Sequence, residues 1–382
     1  MEGVSFVVPV HNGAVWIRET LEAILSQADG RPMEVIVVDD HSSDGSSDVL
    51  HALAKQWPLR IVAGEGRGAA AAINVGVRAA RLPIVCQVDQ DVVLHPGWMH
   101  RLTEELDHPK VAAAQGYYAN DPEATLCARA MNFDLEQRYA SIAGSDTTHV
   151  CTGNSAYRAD ALRRVGYFDE TFGYGYDNDI SYRLLDAGYR LRFCRGARSV
   201  HRWREGFAGY LVQQYGFGYG RIDLVAKHPA RAGGDSVSPA GMMSHPLVMA
   251  GVVAGVTAAG VAALADGPWG LFAVVATTLL LGLLLERLAV GMRTARRFRD
   301  WTPLVFPALH LVRDLAWVAA IAVWTARRIA RHPAKPSHSM RPRVTYVPRL
   351  GLYPSLLADG LDRSPRTKRP NVHASAPNLP TA

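Results

Sequence analysis

The stretch LPIVCQVDQD (residues 82–91) is an apolar run that ends in two carboxylates two positions apart. Two earlier stretches are also mainly apolar, VSFVVPV (4–10) and MEVIVVDD (33–40), and the second ends in two adjacent aspartates. Amphipathic helical segments such as VWIRETLEAILSQ (15–27) separate them. Apolar strands that alternate with such helices predict an α/β fold with a mostly parallel sheet covered on both faces. Sheets of this kind bind ligands at the carboxyl ends of their strands, where these polar residues lie.

Composition and charge exclude several classes of protein. Of the 382 residues, 48% are hydrophobic and 20% are charged, which excludes disordered and collagen-like chains. The net charge of +6 is uneven: residues 1–285 carry 24 Lys and Arg against 30 Asp and Glu, whereas residues 286–382 carry 17 against 5. A nucleic-acid-binding domain needs a basic face, and the long, domain-like part of this chain is acidic. We therefore expect no nucleic-acid partner.

The four cysteines are Cys86, Cys127, Cys151 and Cys194, which are far apart and form no CxxC pair. Their spacing does not match a zinc site. We expect them to be reduced thiols in a cytosolic environment.

Two apolar segments predict a transmembrane hairpin. Residues 246–265 contain no charge over 20 positions, which at about 1.5 Å per residue spans a hydrocarbon core of roughly 30 Å. A turn at residues 266–268 is followed by 17 more uncharged positions, 269–285. We place the hairpin at residues 246–290, after a first domain of residues 1–230.

A third apolar helix is expected at residues 302–330. His310, Arg313, Asp314 and Trp317 fall at i, i+3, i+4 and i+7, so one face of this helix is polar. Such a helix can lie along the membrane interface, re-enter, or span with its polar face against protein. Residues 333–382 are rich in Pro, Ser, Lys and Arg without periodicity, which predicts a disordered basic tail.

The positive residues predict an orientation. Five arginines lie between residues 287 and 299, directly after the second apolar segment, whereas the hairpin turn has no Lys or Arg. The positive-inside rule then places the turn outside and the first domain in the cytoplasm, at the inner membrane. Three more arginines at residues 327–331 favour a cytoplasmic far end for the third segment, and so an interfacial or re-entrant course. The basic C-terminal quarter can contact anionic lipid on that side.

Asp89 and Asp91 are the first candidate site residues. Side chains at i and i+2 of a strand project the same way, so these two carboxylates can converge on one hard cation. Close carboxylates repel each other unless a cation or hydrogen-bond donors compensate. The alternative is an acidic turn that leads into the cap of the next element.

Asp39 and Asp40, at the end of an earlier predicted strand, are the next candidate site residues. A carboxylate at a strand's carboxyl end can accept hydrogen bonds from a nucleotide base or from ribose hydroxyls. The alternative is that one of the two begins the turn together with Ser42 and Asp44.

Five motifs, in this order, resemble the inverting family 2 glycosyltransferases of the GT-A fold. They are VSFVVPVHNGAVWIRETLEAILSQ, EVIVVDDHSSDGS, INVGVRAARLPIVCQVDQD, CTGNSAYRADALRRVGYFDETF and GYDNDISYRLLDAGYRLRF. The resemblance covers roughly residues 4–204, over half of the chain.

This resemblance implies a donor site for a UDP- or GDP-sugar. The residues it implies for the nucleotide pocket are Pro9, Asn12, Asp39 and Asp40. Asp89 and Asp91 would form the metal motif that holds the donor diphosphate through Mg²⁺ or Mn²⁺. His201, in SVHRW, matches the late histidine that often completes this metal site.

The resemblance also implies an acceptor side. Asp177 falls where the family keeps its general base, and Gly153 and Asn154 resemble the acceptor-side loop. Asp179 is the other carboxylate here, and we expect it to cap the following helix. The segment QQYGFGYGR (213–221) resembles one in membrane-linked relatives, which would place Arg221 near an acceptor phosphate at headgroup level. The alternative for this segment is an aromatic helix packed under the first domain.

Three positions depart from the family pattern. His11 stands where Tyr is usual, Ile73 where Arg is common, and Tyr176 where an acidic residue often precedes the base. The departures at His11 and Ile73 concern the residues that would contact the nucleotide base and the donor diphosphate. Arg67 is the candidate for the positive charge that is missing at position 73.

Together these features predict metal-dependent, inverting transfer of a single sugar from a nucleotide-sugar donor to a membrane-associated acceptor, either a lipid or a lipid-linked molecule. One alternative is a polyprenyl-phosphate glycosyl synthase. Another is a membrane-anchored nucleotide-sugar-binding protein with weak catalysis. A processive polymer synthase is disfavoured, because only Arg202-Trp203 remain of its QxxRW motif and two or three membrane segments are few for a pore.

Overall fold

The computed structural model describes residues 2–142, 144–203 and 206–330. Its strands are β1 (Val4–Val10), β2 (Met33–Asp39), β3 (Leu59–Ala63), β4 (Ile84–Val88), β5 (Val92–Leu94), β6 (Val111–Ala119), β7 (Asp146–Thr147), β8 (Asn154–Arg158) and β9 (Arg190–His201). The helices are α1 (Ile17–Leu25), α2 (Ser46–Ala54), α3 (Ala69–Ala79), α4 (Trp98–Glu104), α5 (Leu126–Ala140), α6 (Ala159–Arg164), α7 (Tyr176–Asp186), α8 (Phe207–Lys227), α9 (Ala240–Leu264), α10 (Trp269–Phe298) and α11 (Phe306–Ile329). The tail predicted at residues 333–382 lies outside the described residues.

One sheet organises the first domain, with the strand order β3-β2-β1-β4-β8-β6-β9-β5 and β7 beside β9. Strands β3, β2, β1 and β4 are parallel, as the buried apolar runs predict. The other half is mixed: β8 runs antiparallel to β4 and β6, β6 is parallel to β9, and β5 is antiparallel to β9. The predicted α/β fold is confirmed. The sheet was expected to be mostly parallel and is mixed instead. The sequence pattern could not show this, because apolar runs indicate burial but not strand direction.

The hairpin of α9 and α10 is held by small residues. A Cβ at Gly255 would lie 3.0 Å from the Cβ of Ala276 on α10, so the glycine allows the two helices to approach closely. Their outward side chains are apolar and exposed, as at Leu264 (91% exposed) and Leu271 (67% exposed). Both helices, and the segment Thr302–Ile329, are long and apolar enough to cross a membrane. Their predicted division into a hairpin at 246–290 and a third helix at 302–330 stays a prediction.

The polar face of α11 packs against protein. His310 Nε2 lies 3.1 Å from Asp134 Oδ1 of α5, and Arg313 Nη2 lies 3.1 Å from His245 Nδ1 at the start of α9. His310, Arg313 and Asp314 are all buried. Because buried charges need partners, these contacts explain how a helix of this length carries three polar side chains on one face.

Helix α8 packs between the first domain and α11, and its alternating glycines permit this. A Cβ at Gly218 would lie 2.9 Å from the Cα of Trp317 on α11. On the other side, a Cβ at Gly220 would lie 2.6 Å from the backbone oxygen of Tyr174, in the loop before α7. Helix α8 therefore ties the loop before α7 to α11.

Candidate active site

The carboxyl ends of β1, β2 and β4 lie at one edge of the sheet, because these strands are parallel and in register. Val10, the last residue of β1, pairs with Asp39, the last residue of β2. Pro9 lies in β1 opposite Val38. The three ends bring together the loops after β1, β2 and β4, which carry most of the predicted donor-side residues.

Asn12 and Asp39 organise the loop after β2. Asn12 has a φ of 55°, and its Oδ1 accepts a hydrogen bond of 2.7 Å from the backbone N–H of Ser43. Asp39 Oδ1 accepts one of 3.0 Å from the backbone N–H of Ser42, and the hydroxyl of Ser47 bonds Oδ2. Burial raises the pKa of Asp39, but these hydrogen bonds outweigh it and hold the pKa below its usual value. Asp39 is therefore the carboxylate that begins the turn.

Asp40 holds a second loop. Its Oδ1 accepts from the backbone N–H of Gly66 at 2.7 Å, and its Oδ2 from that of Gly68 at 3.0 Å. The side chain is buried. Asp40 thus fixes the loop that leads from β3 into α3, and its predicted contact with a nucleotide stays a prediction.

Asp89, Asp91 and His201 come together at the end of β4. One ligand atom from each lies within 4.8 Å of the other two, and His201 Nε2 is 3.5 Å from Asp91 Oδ1. His201 is brought to the two aspartates by the antiparallel pairing of β5 with β9, because Val92, the residue after Asp91, lies opposite His201. Burial and the nearby charge of Asp91 raise the pKa of Asp89 to about 6. Burial and Asp91 therefore disfavour the ionised form of Asp89.

Gly153 adjoins this cluster, whereas Asn154 does not. Gly153 has a φ of 87°, and a Cβ there would lie 2.4 Å from Asp89 Oδ2. Asn154 is buried in β8, where its Oδ1 accepts a hydrogen bond of 2.6 Å from Trp98 Nε1. Gly153 is therefore placed against the predicted metal motif, and Asn154 is part of the core.

Asp177 lies in the first turn of α7, after Gly175 in the left-handed conformation. It lines a cavity of about 330 Å³ together with Asp89, His201 and Arg221. Its Oδ2 is 3.3 Å from His149 Nε2, and its Oδ1 accepts the backbone N–H of Asn178 at 2.9 Å. The cavity thus brings the predicted base to the predicted metal motif.

Asp179 does not cap α7, contrary to expectation. The N-cap residue is Gly175, and no side chain caps the helix there. The buried carboxylate of Asp179 instead meets Arg183, Lys227 and His228, with distances of 2.7, 2.6 and 2.8 Å. One turn into the helix, its side chain reaches this ion-pair cluster rather than the first backbone N–H groups, and it is not among the residues that line the cavity.

Arg67 and Arg221 differ in their placement. Arg67 pairs with Glu65 and lies 2.6 Å from Glu170 Oε2, in a separate cleft. The structure therefore does not bring Arg67 to Asp89 and Asp91. Arg221 lines the cavity, and its Nη1 is 3.6 Å from Asp235 Oδ2.

Two further polar residues near Asp177 were missed from the sequence, His149 and Asp235. His149 lies just before the CTGN motif, and a titratable residue so close to a predicted acceptor loop is the signal that could have found it. Asp235 follows α8 in a segment without regular periodicity, and nothing in the sequence links it to α7. Only the packing of that segment against residues 147–149 brings it there.

Helices α8 and α11 form the far wall of the cavity. Tyr210, Gln213 and Phe217 line it from α8, and Leu309, Arg313 and Trp317 line it from α11. The cavity is therefore bounded by the sheet domain on one side and by an apolar helix of membrane-spanning length on the other.

Comparison with known proteins agrees with this architecture. Residues 5–166 match the profile of Glycosyl transferase family 2. The "Pre-mycofactocin glycosyltransferase" of Mycobacterium tuberculosis is 30% identical over 272 residues, which cover 69% of this chain and 56% of that protein. "Glycosyltransferase AglE" of Haloferax volcanii is 29% identical over 228 residues, 58% of this chain and 73% of that protein. This chain thus spans little more than half the length of the first of these relatives.

A solved structure shows the same fold. The mannosyltransferase PcManGT from Pyrobaculum calidifontis, described in complex with GDP-Man and Mn²⁺, matches with a TM-score of 0.55 at 20% identity. The match covers 85% of this chain and 87% of that one. The chain therefore carries a family 2 glycosyltransferase domain of the GT-A fold, and the resemblance drawn from the five motifs is confirmed.

Proposed function

We propose that this protein transfers a single sugar, with inversion, from a UDP- or GDP-sugar to a membrane-associated acceptor that is a lipid or is linked to one. The observation that carries the proposal is the shared cavity. Asp89, Asp177 and His201 line it from the sheet domain, and Leu309, Arg313 and Trp317 line it from α11. An acceptor held against a helix of membrane-spanning length can present its hydroxyl to Asp177 without leaving the membrane surface.

The donor set at the end of β4 fits a divalent cation. One ligand atom from each of two carboxylates and one imidazole lies within 4.8 Å of the other two. Carboxylate oxygens suit Mg²⁺ and Mn²⁺, and imidazole accompanies them in transition-metal sites. The raised pKa of Asp89 supports this assignment, because a cation would remove the repulsion that burial and Asp91 create. When bound, the ion would neutralise negative charge on the leaving diphosphate.

The proposed reaction is a single displacement. The acceptor hydroxyl gives its proton to the carboxylate of Asp177, while its oxygen forms a bond to the anomeric carbon. The bond from that carbon to the donor phosphate breaks, and its electron pair leaves with the nucleoside diphosphate. The attack comes from the face opposite the leaving group, which inverts the configuration. General-base catalysis of this kind contributes about 10²- to 10⁴-fold to the rate.

A phosphate acceptor is the second candidate, which would make the protein a polyprenyl-phosphate glycosyl synthase. Arg221 favours it, because its Nη1 is buried beside the cavity and has no hydrogen-bond partner among the described residues. Guanidinium groups bind phosphate well. A phosphate with a second pKa of about 6 is largely ionised at pH 7 and depends little on a base. Asp177→Asn therefore separates the two acceptors: near-complete loss of turnover with intact nucleotide binding favours a hydroxyl.

The proposed location is the inner membrane, with the sheet domain on the cytoplasmic side. Support comes from the three apolar helices and from the arginines that follow α10. On that side the domain meets the cytoplasmic supply of nucleotide sugars.

The test begins with a donor panel and detergent-solubilised protein with Mn²⁺. We expect metal-dependent hydrolysis of one donor, loss of this activity in Asp91→Ala, and retention in Asp48→Ala, an exposed carboxylate of α2. Mass spectrometry of a native lipid extract, incubated with that donor, should then show one lipid class that gains a single sugar. A chain that binds donor but neither hydrolyses nor transfers it would instead be the binding protein considered above.

A further inference from the structure

His149 lies between two carboxylates that come from distant parts of the chain. Its Nε2 is 3.3 Å from Asp177 Oδ2, and its Nδ1 is 3.7 Å from Asp235 Oδ1. The ring is 5% exposed, so water does not screen these contacts strongly. An imidazole with a carboxylate at each nitrogen has its orientation fixed at both ends.

Asp235 is itself held rigidly. Its Oδ1 accepts the backbone N–H groups of Val237 and Ser238 at 2.9 and 2.8 Å. Its Oδ2 accepts the side-chain N–H of Asn178 at 2.9 Å and the hydroxyl of Tyr182 at 3.1 Å, both from α7. A carboxylate with four such donors cannot rotate without breaking hydrogen bonds.

The backbone beside His149 is hydrogen-bonded to the segment between α8 and α9, which also carries Asp235. Thr148 donates its backbone N–H to Ser236 Oγ at 3.0 Å, and Ser236 donates its own to Thr148 Oγ1 at 2.9 Å. The segment between α8 and α9 therefore fixes both the main chain and the ring of the residue that faces Asp177.

The charges are complementary. Burial alone would lower the pKa of His149, but the neighbouring Cys151, Asp235 and Asp177 outweigh it and hold the pKa well above its usual value. The raised pKa favours the protonated ring, whose positive charge is attracted by both carboxylates. Cys151 Sγ lies 4.0 Å from Nδ1, and one ligand atom from each of His149, Cys151 and Asp177 lies within 4.8 Å of the other two, so Cys151 is a third group beside this ring.

We propose that His149 is a positioning residue for the catalytic base, and that Asp235, supplied by the segment between helices α8 and α9, holds His149 in place. The proposal rests on the proposed function, since it requires Asp177 to be the base. The backbone N–H of Asn178 donates to Asp177 Oδ1, and His149 Nε2 lies 3.3 Å from Oδ2, so the ring is placed to orient the carboxylate that would face the acceptor hydroxyl.

The experiment is a double-mutant cycle of wild type, His149→Gln, Asp177→Asn and the double variant, measured by sugar transfer. We expect His149→Gln to lower kcat by about 10- to 100-fold, because a misplacement of about 1 Å has effects of that order, and to leave the donor KM within about 2-fold. In the Asp177→Asn background, His149→Gln should change the residual rate by less than about 2-fold, because the two residues act as a unit. Asp235→Asn should also lower kcat and leave the donor KM unchanged.

His228→Gln is the matched control. His228 Nε2 is 2.8 Å from Asp179 Oδ1, so it makes a similar contact to the same helix α7, but neither residue lines the cavity. We expect its kcat to stay within about 2-fold of wild type. Equal losses in His149→Gln and His228→Gln, or additive losses in the double variant, would overturn the proposal.

The same variants distinguish a failure of the proposed function from a failure of the inference about His149. If Asp177→Asn keeps full activity, Asp177 is not the base, and the positioning role falls with it. If Asp177→Asn is inactive while His149→Gln is normal, only the inference about His149 is wrong. Thermal unfolding of the same four proteins in detergent gives a test that needs no acceptor: we expect the two single effects to be non-additive, and purely additive effects contradict the contact itself.

Discussion

Gly153 lies directly against the carboxylate of Asp89, so that a Cβ at position 153 would come within 2.4 Å of Asp89 Oδ2. The contact joins the end of β4 to the start of β8 at the proposed metal site. The backbone N–H of Asp89 also approaches the backbone oxygen of Gly153, at 3.3 Å. The position of Asp89 thus depends on a residue without a side chain.

Gly153→Ala should therefore impair donor binding. The φ of 87° costs an L-residue about 1–2 kcal/mol, and the added methyl group must displace Asp89. We expect Mn²⁺-dependent nucleotide affinity to fall by at least about 10-fold, a change of about 1.4 kcal/mol, measured by calorimetric titration. Gly166→Ala is the control, since Gly166 has a similar φ of 84° but nothing within 4 Å of a Cβ. Equal affinities for the two variants would contradict the role of the contact.

The raised pKa of Asp89 predicts how pH affects metal binding. Since burial and Asp91 raise the folded pKa to about 6 from a usual 3.8, the metal-free protein is stabilised at low pH and loses that stability as pH rises through about 6. A cation binds the ionised form, so the increase in Tm on adding Mn²⁺ should grow between pH 5 and pH 7. Asp89→Asn should weaken this pH dependence, and what remains is expected from His201, which must be neutral to bind the ion. An equal Mn²⁺ effect at both pH values would count against Asp89 as a ligand.

The close packing of α8 predicts an effect on the active site from a remote residue. A Cβ at Gly220 would lie 2.6 Å from the backbone oxygen of Tyr174, two residues before the start of α7. Gly220→Ala should displace this loop and lower both Tm and kcat. Gly260→Ala in α9 is the control, because a Cβ there meets nothing within 4 Å and alanine favours a helix by up to about 1 kcal/mol. A Gly220→Ala protein with unchanged turnover would show that α8 does not set the position of Asp177.

The arginine distribution predicts the topology. A reporter inserted in the turn at Asp266-Gly267 should be found outside the cytoplasm, because this turn carries no Lys or Arg. A reporter fused after residue 331 should be cytoplasmic if the third segment is interfacial or re-entrant. An external location for the second reporter would mean that the third segment spans the membrane.

The α/β fold and the family could both be predicted from local patterns in the sequence. Strands β1, β2 and β4 are mostly apolar runs that end in a polar residue or are followed by one, and such patterns can be read from the local sequence alone. The spacing of Asp89 and Asp91 and the apolar lengths of α9 and α10 are likewise local, so the residues alone predict both the proposed metal motif and the hairpin.

Which of the candidate residues contact one another depends on how the helices and strands pack. Asp179 is two positions from Asp177, yet its side chain enters a buried ion-pair cluster while Asp177 faces the cavity, because residues two apart on a helix point in different directions. Arg67 was a reasonable choice from its sequence position, but Glu65 and Glu170 hold it in another cleft. Asp235 reaches His149 across 86 positions of sequence through the packing of one irregular segment. Contacts of this range depend on how elements pack, and neither composition nor periodicity records them.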